Sequence, residues 1–597
     1  MYYYSLKLQF LSLLLLIISS SIFAQTSLLE KEMGSYASRK NFTLDPSGNL
    51  YNFGGVTASE ASNINIFPNA IQQNYSGGEN DCYIEKRSPE GELLWNTFIG
   101  GEGREGIAGA LVRGFVYVVG STTSTSNIST SGAFMEDFLP NTSGGNPSNR
   151  FIMKLNENGT KEWATYYRTT VGDATEQIVN YTTDNLGNFY IVGFTQSDEN
   201  VATVGAFDES LGQASQKGFI TKFDANGNRV WGTYYGTSGS QNVTGLDNIA
   251  IDQDGNIIVG GNYLGNMPEN YFTTSGTYTD GQNLPADVFL AKFDPQGNRL
   301  WGLMYGGVDF EQSIDVAVDS QNNYVWFGST QSQEDIASQG AYQETLGSSN
   351  PINSTNDAFL AKFDEDGNRI WSTYYGGQLT DSYGNGSGTL ISGLNRNVIN
   401  FDEDDNIYFA SLTKSTNQIA TPNTFQDELA SVGSFDSYVA KFNPAGERLW
   451  GTYFGGLGDD KTRGLLYAGN DEFYLFGETC STDGIATSNA WYDQELESDV
   501  SGFIVKFIPN TLGITEKTNT AFSVWPNPTN GAFTISGKAN QLLQVSIYDV
   551  HGRKVRDIAH LKVNSPVVLQ RKLSTGIYFL NINAKEDQAQ NLKLIVN

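Results

Sequence analysis

The sequence predicts an all-β protein: a seven-bladed β-propeller closed by an N-terminal strand and followed by a small C-terminal β-sandwich. Three observations predict this fold. A hairpin that contains a Trp recurs about every 70 residues, a second hairpin alternates with it in seven copies, and the composition changes near residue 520, where an acidic body gives way to a basic tail.

Residues 1–24 have the pattern of a secretory signal. One early Lys precedes the apolar run Leu11–Ile18, and small residues lead to Ala24 and Gln25, between which we expect cleavage. The alternative is an uncleaved membrane anchor, but the apolar run is shorter than the ~20 residues that a bilayer-spanning helix needs. We therefore expect no transmembrane segment in the mature protein.

The first repeated hairpin, VFLAKFDPQGNRLWGLMYGG in one copy, has a Lys nine residues before its Trp. The Trp residues, at spacings of 68, 68, 70, 70 and 79, are Trp95, Trp163, Trp231, Trp301, Trp371 and Trp450. The D-x-x-G-N segment suits a type I turn followed by a left-handed Gly. The resulting register pairs Asp294 with Asn298, Ala291 with Trp301 and Lys292 with Leu300. We expect the Trp to pack between blades and the Lys ammonium to reach water; the competing interpretation is a ligand-binding ring of lysines.

The second hairpin, such as NYTTDNLGNFYIVGFTQS from Asn180, alternates apolar and polar residues around a turn. The two hairpins give four antiparallel strands per repeat, here called A, B, C and D, and radial repetition of such units makes a propeller, which we place at residues 25–508. Six D strands follow seven C strands. We expect Glu32–Ala37 (EMGSYA), which is similar to WGTYYG, to supply the missing strand and close the ring.

These repeats resemble the seven-bladed β-propeller repeat (SBBP-type) family of secreted bacterial proteins over about residues 28–508. The resemblance implies the propeller fold and an exported protein. It implies little about chemistry.

After a linker at residues 509–520, the tail at residues 521–597 alternates short strands with Pro, Asn and Gly turns, which predicts a β-sandwich. Three motifs in order resemble the C-terminal sorting domain of type IX secretion in Bacteroidota. The matching residues are Pro526, Asn527, Pro528, Gly531, Tyr548, Asp549, Gly552, Gly576 and Tyr578. The resemblance implies that the tail binds the type IX secretion machinery, directs passage across the outer membrane and is then removed. The product would be secreted or held at the outer cell surface; an ordinary accessory domain is the alternative.

Charge and histidine content exclude several functions. The net charge is −29 although the tail carries 9 Lys and Arg against 4 Asp and Glu, so the body is strongly acidic and repels nucleic acid. His551 and His560, both in the tail, are the 2 histidines of the chain. The propeller therefore has no imidazole for Ser-His-Asp or Cys-His catalysis, or for a histidine-bound zinc site. Carboxylate pairs for glycoside hydrolysis remain an option.

Four Asp residues are candidates for binding a cation or ligand, because each lies five residues before the repeated Lys, where a long loop enters strand C. They are Asp81, Asp287, Asp357 and Asp436. We favour a capping role for them over Ca²⁺ binding, and we expect no cofactor. Cys82 and Cys480 fall in neighbouring blades if the ring closes, so the two hypotheses are a disulfide across the seam and two separate thiols.

We expect a binding, adhesive or scaffolding propeller whose ligand is a glycan or a protein. The alternatives are a carboxylate-based glycan-processing enzyme and a purely structural surface-layer component. The A–B and C–D turns are short and uniform, whereas the B–C loops on the opposite side are long and dissimilar, for example 331–356 and 414–435. Recognition is usually carried by such loops. We expect them to form the binding face and to be replaceable without loss of the fold.

Overall fold

A computed structural model describes residues 22–27, 41–45, 47–89, 91–140, 148–167, 176–240, 242–265, 271–278, 286–347, 355–383, 397–486, 501–509, 522–525, 529, 532–537, 542–549, 553–568, 573–584 and 590–596. The chain divides into two compact units, Met1–Pro509 and Asn510–Asn597.

The described part of the first unit forms seven four-stranded antiparallel sheets. The first strand, β1 (Ile22–Ser27), joins the last sheet, and sheets 1 to 3 follow it in the chain: sheet 1 contains β2 (Asn41–Leu44), β3 (Leu50–Val56), β4 (Asp81–Arg87) and β5 (Leu93–Ile99); sheet 2 contains β6 (Glu105–Val112), β7 (Val116–Thr122), β8 (Asn149–Leu155) and β9 (Lys161–Tyr167); and sheet 3 contains β10 (Glu176–Thr183), β11 (Phe189–Thr195), β12 (Lys217–Phe223) and β13 (Arg229–Tyr235). Sheet 4 contains β14 (Val243–Ile251), β15 (Ile257–Leu264), β16 (Ala286–Phe293) and β17 (Arg299–Tyr305), and sheet 5 contains β18 (Glu311–Val318), β19 (Tyr324–Thr330), β20 (Asp357–Phe363) and β21 (Arg369–Tyr375). Sheet 6 contains β22 (Ile399–Phe401), β23 (Ile407–Thr413), β24 (Asp436–Phe442) and β25 (Arg448–Phe454), and sheet 7 contains β26 (Asp460–Gly469), β27 (Glu472–Thr479) and β28 (Ser501–Pro509) together with β1.

A single helical turn, α1 (Ala58–Ala61), follows β3 and is closed by a capping box between Thr57 and Glu60. The prediction of an all-β fold built from repeated four-stranded sheets is confirmed.

The C–D hairpin contains a β-bulge that the predicted register lacks. The turn forms as expected, since the Asp294 N–H donates to the Asn298 carbonyl at 2.9 Å and Gly297 has φ +88°. Leu300, however, is an extra residue, so Lys292 lies opposite Trp301 and Ala291 opposite Gly302. The predicted pairing of Ala291 with Trp301 is therefore wrong by one position. The bulge leaves the Leu300 side chain 49% exposed on the outer strand.

The core lies between neighbouring sheets. In sheets 1 to 5 the Trp of the D strand donates its indole N–H to a carbonyl in the C–D turn of the next sheet, as Trp301 does to Glu365 at 2.9 Å. The same bond joins Trp95 to Glu157, Trp163 to Ala225, Trp231 to Pro295 and Trp371 to Pro444. The repeated Trp thus fixes each of these five sheets to its successor.

The first and last sheets also contact each other. Phe42 and Leu50 of sheet 1 share a core cluster with Phe476 and Ile504 of sheet 7. The strand that pairs with β28 is β1, in antiparallel register from Ile22 opposite Pro509 to Ser27 opposite Ile504. Glu32–Ala37, expected to be this strand, lies outside the described residues. The β1 strand spans the predicted cleavage site between Ala24 and Gln25.

The second unit is a separate β domain. A three-stranded sheet contains β29 (Phe522–Trp525), β30 (Ala532–Gly537) and, after two strands of the other sheet, β33 (Pro566–Val568). The four-stranded sheet contains β31 (Leu542–Asp549), β32 (Lys554–Lys562), β34 (Gly576–Ala584) and β35 (Gln590–Val596). Their apolar faces enclose one core cluster that includes Phe533, Ile547 and Leu594. Among the described residues of the whole chain, no helix is long and apolar enough to span a membrane.

Candidate functional site

Three of the four candidate Asp residues lie at junctions between sheets, on the side of the long loops. The first residue of strand C in one sheet faces an acidic residue that begins strand A of the next sheet or, in the case of Asp381, precedes β22, and we call these two residues a junction pair. The junction pairs are Asp81 with Glu105, Asp357 with Asp381, and Asp436 with Asp460. All six residues are at most 1% exposed. The side chain of Asp287 lies outside the described residues.

In each junction pair, the Asp that begins strand C accepts hydrogen bonds from the end of the long loop that precedes it. Asp81 Oδ2 accepts hydrogen bonds from the Ser76 N–H at 2.7 Å and from Gln72 Nε2 at 3.0 Å. Asp436 Oδ2 is bonded in the same way by Ala430 and Gln426. The same Gln accepts the N–H of the Gly that ends strand D, at 3.1 Å from Gly100. The Asp therefore ties loop and sheet together.

The second acid of a junction pair is held by hydroxyl groups. Glu105 Oε1 accepts from Thr122 and Ser124 at 2.6 Å, and Oε2 accepts the Gly101 N–H at 3.1 Å. The backbone joins the sheets at the same place, because the Glu105 N–H donates to the Asn80 carbonyl at 2.9 Å.

The two carboxyl groups of the Asp81–Glu105 junction pair lie close to each other. A Cβ atom at Gly100 would lie 2.4 Å from Asp81 Oδ1 and 2.8 Å from Glu105 Oε2, so these oxygens are separated by no more than the sum of these distances. Among the described residues, no hydrogen-bond partner reaches Oδ1 of Asp81, Asp357, Asp436 or Asp460. Two buried negative charges at this separation are costly, and a proton shared by the pair removes one of them.

The pKa directions agree with a shared proton. Burial raises the pKa of Asp81 to about 6, with a further rise from Glu105, and burial raises the pKa of Asp436 to about 7. Burial also raises the pKa of Asp381 to about 7, and burial together with the Asp381 charge holds that of Asp357 well above its usual range. Burial therefore favours the protonated form of at least one carboxyl group in each of these pairs.

At two other junctions between sheets, the position of the strand-C Asp is occupied by a different residue type. Asn149, the amide analogue of a protonated Asp, stands before Glu176 of the next sheet. Lys217 takes the same place before Thr244, and its ammonium bonds Asp208 at 2.7 Å where other sheets have the loop Gln. These substitutions indicate that the position requires no second full negative charge. Because the carboxyl groups are buried, they cannot contact a substrate.

In four sheets the repeated Lys forms a buried ion pair on the side of the short turns. Lys362 Nζ lies 2.9 Å from Asp319 Oδ2, and both side chains are at most 5% exposed. The corresponding pairs are Lys86 with Asp45, Lys292 with Asp252 and Lys441 with Asp402. The expectation that the ammonium reaches water is therefore wrong. The Asp of the A–B turn, which also accepts the turn N–H groups, supplies a carboxylate directly beside it.

The described parts of the long B–C loops, which we expect to form the binding face, are bonded to the sheets. In sheets 2 to 6 the loop turns back along the outer strand of its own sheet: in sheet 2 the Thr130 N–H donates to the Ala164 carbonyl, and the Tyr166 N–H to the Met135 carbonyl, at 2.9 and 3.0 Å. The same backbone pairing joins residues 203 and 232, 274 and 302, 338 and 372, and 421 and 451. The loops are thus part of the scaffold.

A motif in these loops, T-x-S-x-x-[N/D/Q/G]-[I/V], explains this path and was missed in the sequence. Its Ser N–H bonds the preceding Thr hydroxyl, as at Ser124 and Thr122. The sixth residue of the motif has positive φ, and the seventh residue is buried between sheets. The buried residues are Ile128, Val201, Ile336, Ile419 and Ile485. The motif occurs five times at the end of strand B, and this recurrence could have revealed it in the sequence.

One cluster on the long-loop side combines a half-buried aromatic ring with exposed aliphatic side chains and with cationic side chains, and we call it the Phe435 patch. Lys414 Nζ lies 4.3 Å and Lys461 Nζ 5.4 Å from the centre of the Phe435 ring. Leu457, bonded through its carbonyl to Ser434, is 62% exposed. Val432 is 80% exposed and Leu379, beside Lys414, is 39% exposed. The patch also contains two cations in a strongly acidic unit.

Two further carboxyl groups with raised pKa lie on A strands. Burial raises the pKa of Asp247 and of Asp315 to about 7. Asp315 Oδ2 accepts N–H groups of Val398 and Ile399 from the next sheet at 2.7 and 3.1 Å, which makes it a structural tie. Asp247 accepts a hydrogen bond from Asn262.

Cys82 and Cys480 are not bonded to each other. Cys82 is buried in the cluster shared by sheets 1 and 2, which faces away from sheet 7, whereas Cys480 is exposed at the end of β27. The orientation of Cys82 is the reason that the hypothesised disulfide is not formed.

The sorting-motif residues fall on both described and undescribed positions. Tyr548 and Asp549 end β31, where Asp549 Oδ2 bonds Arg553 Nε at 2.8 Å. Gly576 begins β34, and Tyr578 is buried with its hydroxyl on Ser574. The remaining motif positions lie outside the described residues: Pro526, Asn527, Pro528, Gly531 and Gly552.

Residues 523–597 match the family model of the secretion system C-terminal sorting domain. The chain is therefore an all-β, propeller-like protein with a type IX sorting domain, which indicates export to the cell surface or the medium and interaction with the secretion machinery.

Its relatives are distant. Over 249 residues it is 27% identical to an uncharacterized WD repeat-containing protein of Acanthamoeba polyphaga mimivirus, covering 38% of this chain and 16% of that protein. PorZ, a surface component of the type IX secretion system of Porphyromonas gingivalis, is 10% identical over 95% of this chain and 71% of its own, with TM-score 0.23. A puromycin hydrolase is 8% identical over 93% of this chain and 61% of its own, with TM-score 0.35.

Proposed function

We propose that this chain is an exported seven-bladed propeller that binds a glycan or protein at or beyond the cell surface. The matched sorting domain supports export. The seven sheets, with sheet 1 against sheet 7, support a closed ring of SBBP type. The observation that carries the binding role is the Phe435 patch, because exposed aliphatic side chains around an aromatic ring are typical of partner contacts.

The alternative, a carboxylate-based glycan-processing enzyme, has less support. Its reacting carboxyl groups must reach the substrate, but the junction pairs are buried and their oxygens are held by loop and hydroxyl donors. A purely structural surface-layer component is the third hypothesis, and it predicts that no ligand binds the patch.

Point substitutions test the binding face better than loop replacement. Because Ile336 and Ile419 are buried, short Gly/Ser loops would remove core residues. The full chain should be screened on glycan and protein arrays, and the best ligand titrated against Phe435→Ala and Leu457→Ser. We expect at least a tenfold weaker affinity, whereas Leu300→Ser on the outer strand should bind normally. Equal affinity of all variants would contradict the assignment of the patch.

The export part is tested by intact mass. We propose that the mature protein begins near Gln25 and ends within residues 509–520. Secreted and surface fractions should contain species without both ends, and a surface species that retains Met1 and Asn597 would contradict this.

A further inference from the structure

Sheet 2 departs from the other sheets beside its repeated Lys. The A–B turn of the other sheets supplies an acidic residue, but in sheet 2 this turn is Arg113-Gly114-Phe115, closed by the Arg113 N–H on the Phe115 carbonyl at 3.0 Å. Lys154 therefore lacks the carboxylate that Lys86, Lys292, Lys362 and Lys441 have.

The Lys154 ammonium is buried and incompletely bonded. It is 6% exposed, and its Nζ lies 3.8 Å from the centre of the Phe115 ring. Among the described residues its one acceptor is the Ala225 carbonyl, at 3.0 Å. An ammonium has three N–H donors, so two are left for another partner. Burial lowers the pKa of Lys154, as expected for a cation without a close counter-charge.

A cavity of about 360 Å³ lies directly beside this ammonium. It is bounded by Lys154, Glu162 and Trp163 of sheet 2, by the loop segment Thr130–Ala133, and by the turn Ala225–Gly227 of sheet 3. The volume is at the lower end of that of small-molecule sites.

The opposite wall of this cavity also departs from the repeat. Glu162 is the bulged residue of strand D, a position that is aliphatic in the other sheets: Leu94, Val230, Leu300, Ile370 and Leu449. Glu162 Oε1 accepts a hydrogen bond from Asn156 at 3.2 Å. Sheet 2 thus lacks the carboxylate beside its repeated Lys and has a carboxylate, that of Glu162, at the bulged position of strand D.

We propose that this cavity binds one or two rings of a neutral saccharide. Lys154 offers donors, Glu162 offers acceptors, and Ser131 adds an exposed hydroxyl group, so the ligand must both donate and accept at neighbouring atoms, as sugar hydroxyls do. Trp163 adds an apolar wall. The acidic unit disfavours a polyanion. The site lies on the side of the short turns and does not rest on the Phe435 patch.

Calorimetric titration of the full chain with glucose, galactose, mannose, cellobiose, lactose and maltose tests the proposal. We expect at least one of them to bind, and Lys154→Met and Glu162→Leu each to weaken binding at least tenfold. Glu162→Leu restores the residue type of the other sheets at an exposed position, so the fold should be retained, and thermal melting checks this.

Matched controls separate this site from others. Val230→Glu introduces the acidic residue at the same position of sheet 3, and Leu457→Ser alters the Phe435 patch; both should bind the saccharide as the unmodified chain does. Absence of binding by all six saccharides, or equal binding by Lys154→Met and Glu162→Leu, would overturn the proposal. Glucuronate is titrated alongside the six neutral saccharides, and its binding without binding of any of them would overturn the neutral ligand class.

Discussion

Gly297 lies under the indole ring of Trp231, so close that a Cβ atom at this position would be 3.0 Å from Trp231 Cδ2. The turn Gly of one sheet is thus packed against the Trp of the sheet before it. The same relation holds between Gly159 and Trp95, Gly227 and Trp163, Gly367 and Trp301, and Gly446 and Trp371.

Gly297→Ala should destabilise the first unit more than positive φ alone explains. The left-handed conformation costs Ala roughly 1–2 kcal/mol, and the contact with Trp231 adds to this cost. Gly255→Ala is the matched control, because φ is +82° there but the nearest atom to a Cβ is 3.7 Å away. Denaturant unfolding should give a lower free energy of unfolding for Gly297→Ala than for Gly255→Ala. Equal free energies of unfolding would show that the indole ring of Trp231 moves aside without cost.

Lys362→Met should cost about 3–5 kcal/mol, because it leaves Asp319 buried without its counter-charge. The double variant Lys362→Met, Asp319→Asn should recover much of the loss. Lys506→Met should cost less than about 1 kcal/mol, since Lys506 and Glu472 are 31% and 34% exposed. A double variant no more stable than Lys362→Met would contradict this account.

The junction pairs predict lower stability at alkaline pH. Asp has a pKa of about 3.9 in an unfolded chain, whereas that of Asp381 is raised to about 7 in the fold. The folded state therefore binds more protons between these values, so stability falls as pH rises from about 4 to 7 and stays low above. The melting temperature should be higher at pH 5.5 than at pH 8.

Asp357→Asn should reduce this pH dependence, because it removes one of the two facing carboxyl groups, whose charge raises the pKa of the pair. At pH 8 the variant should be more stable than the unmodified chain, because it removes the repulsion between two buried carboxylates. Asp366→Asn, in an exposed turn, should leave the pH profile unchanged. A profile that Asp357→Asn does not alter would show that the pair holds no shared proton.

N-terminal truncation distinguishes two candidates for the last strand of sheet 7. A chain that begins at Gln25 keeps Glu32–Ala37 but loses half of β1, whereas one that begins at Arg39 lacks both segments. We expect the Arg39 chain to lose several kcal/mol by exposing the β28 edge, and the Gln25 chain to melt like the unmodified chain. If both truncations melt alike at a lower temperature, β1 is the required strand and cleavage after Ala24 is wrong.

The sequence predicts the hairpins well because turn chemistry is local. Asp294 and Asn298 pair as the D-x-x-G-N pattern indicates. The bulge at Leu300 could not be predicted in this way, because an exposed aliphatic residue in an alternating strand has no distinguishing local signal.

The sequence of one repeat does not show which acidic residue pairs with its buried Lys. Lys362 and Asp319 are 43 residues apart in sequence numbering, in different hairpins, and the ion pair follows from the fold rather than from spacing. The junction pairs join residues of two sheets, so their proximity also requires the tertiary arrangement. The loop motif at Ser124 and Ile128 is different, since its recurrence was present in the sequence but obscured by variable loop lengths.

The loops that pair with the outer strands have a consequence for how partners are recognised. Peptides often bind a sheet by adding a strand to its open edge, but along β9, β13, β17, β21 and β25 the chain already supplies that strand at the paired positions. Strand addition is blocked there for foreign peptides and for neighbouring copies at high surface density. Recognition at these sheets must therefore be carried by side chains and cavities, whose chemistry a single substitution can change without opening an adhesive edge.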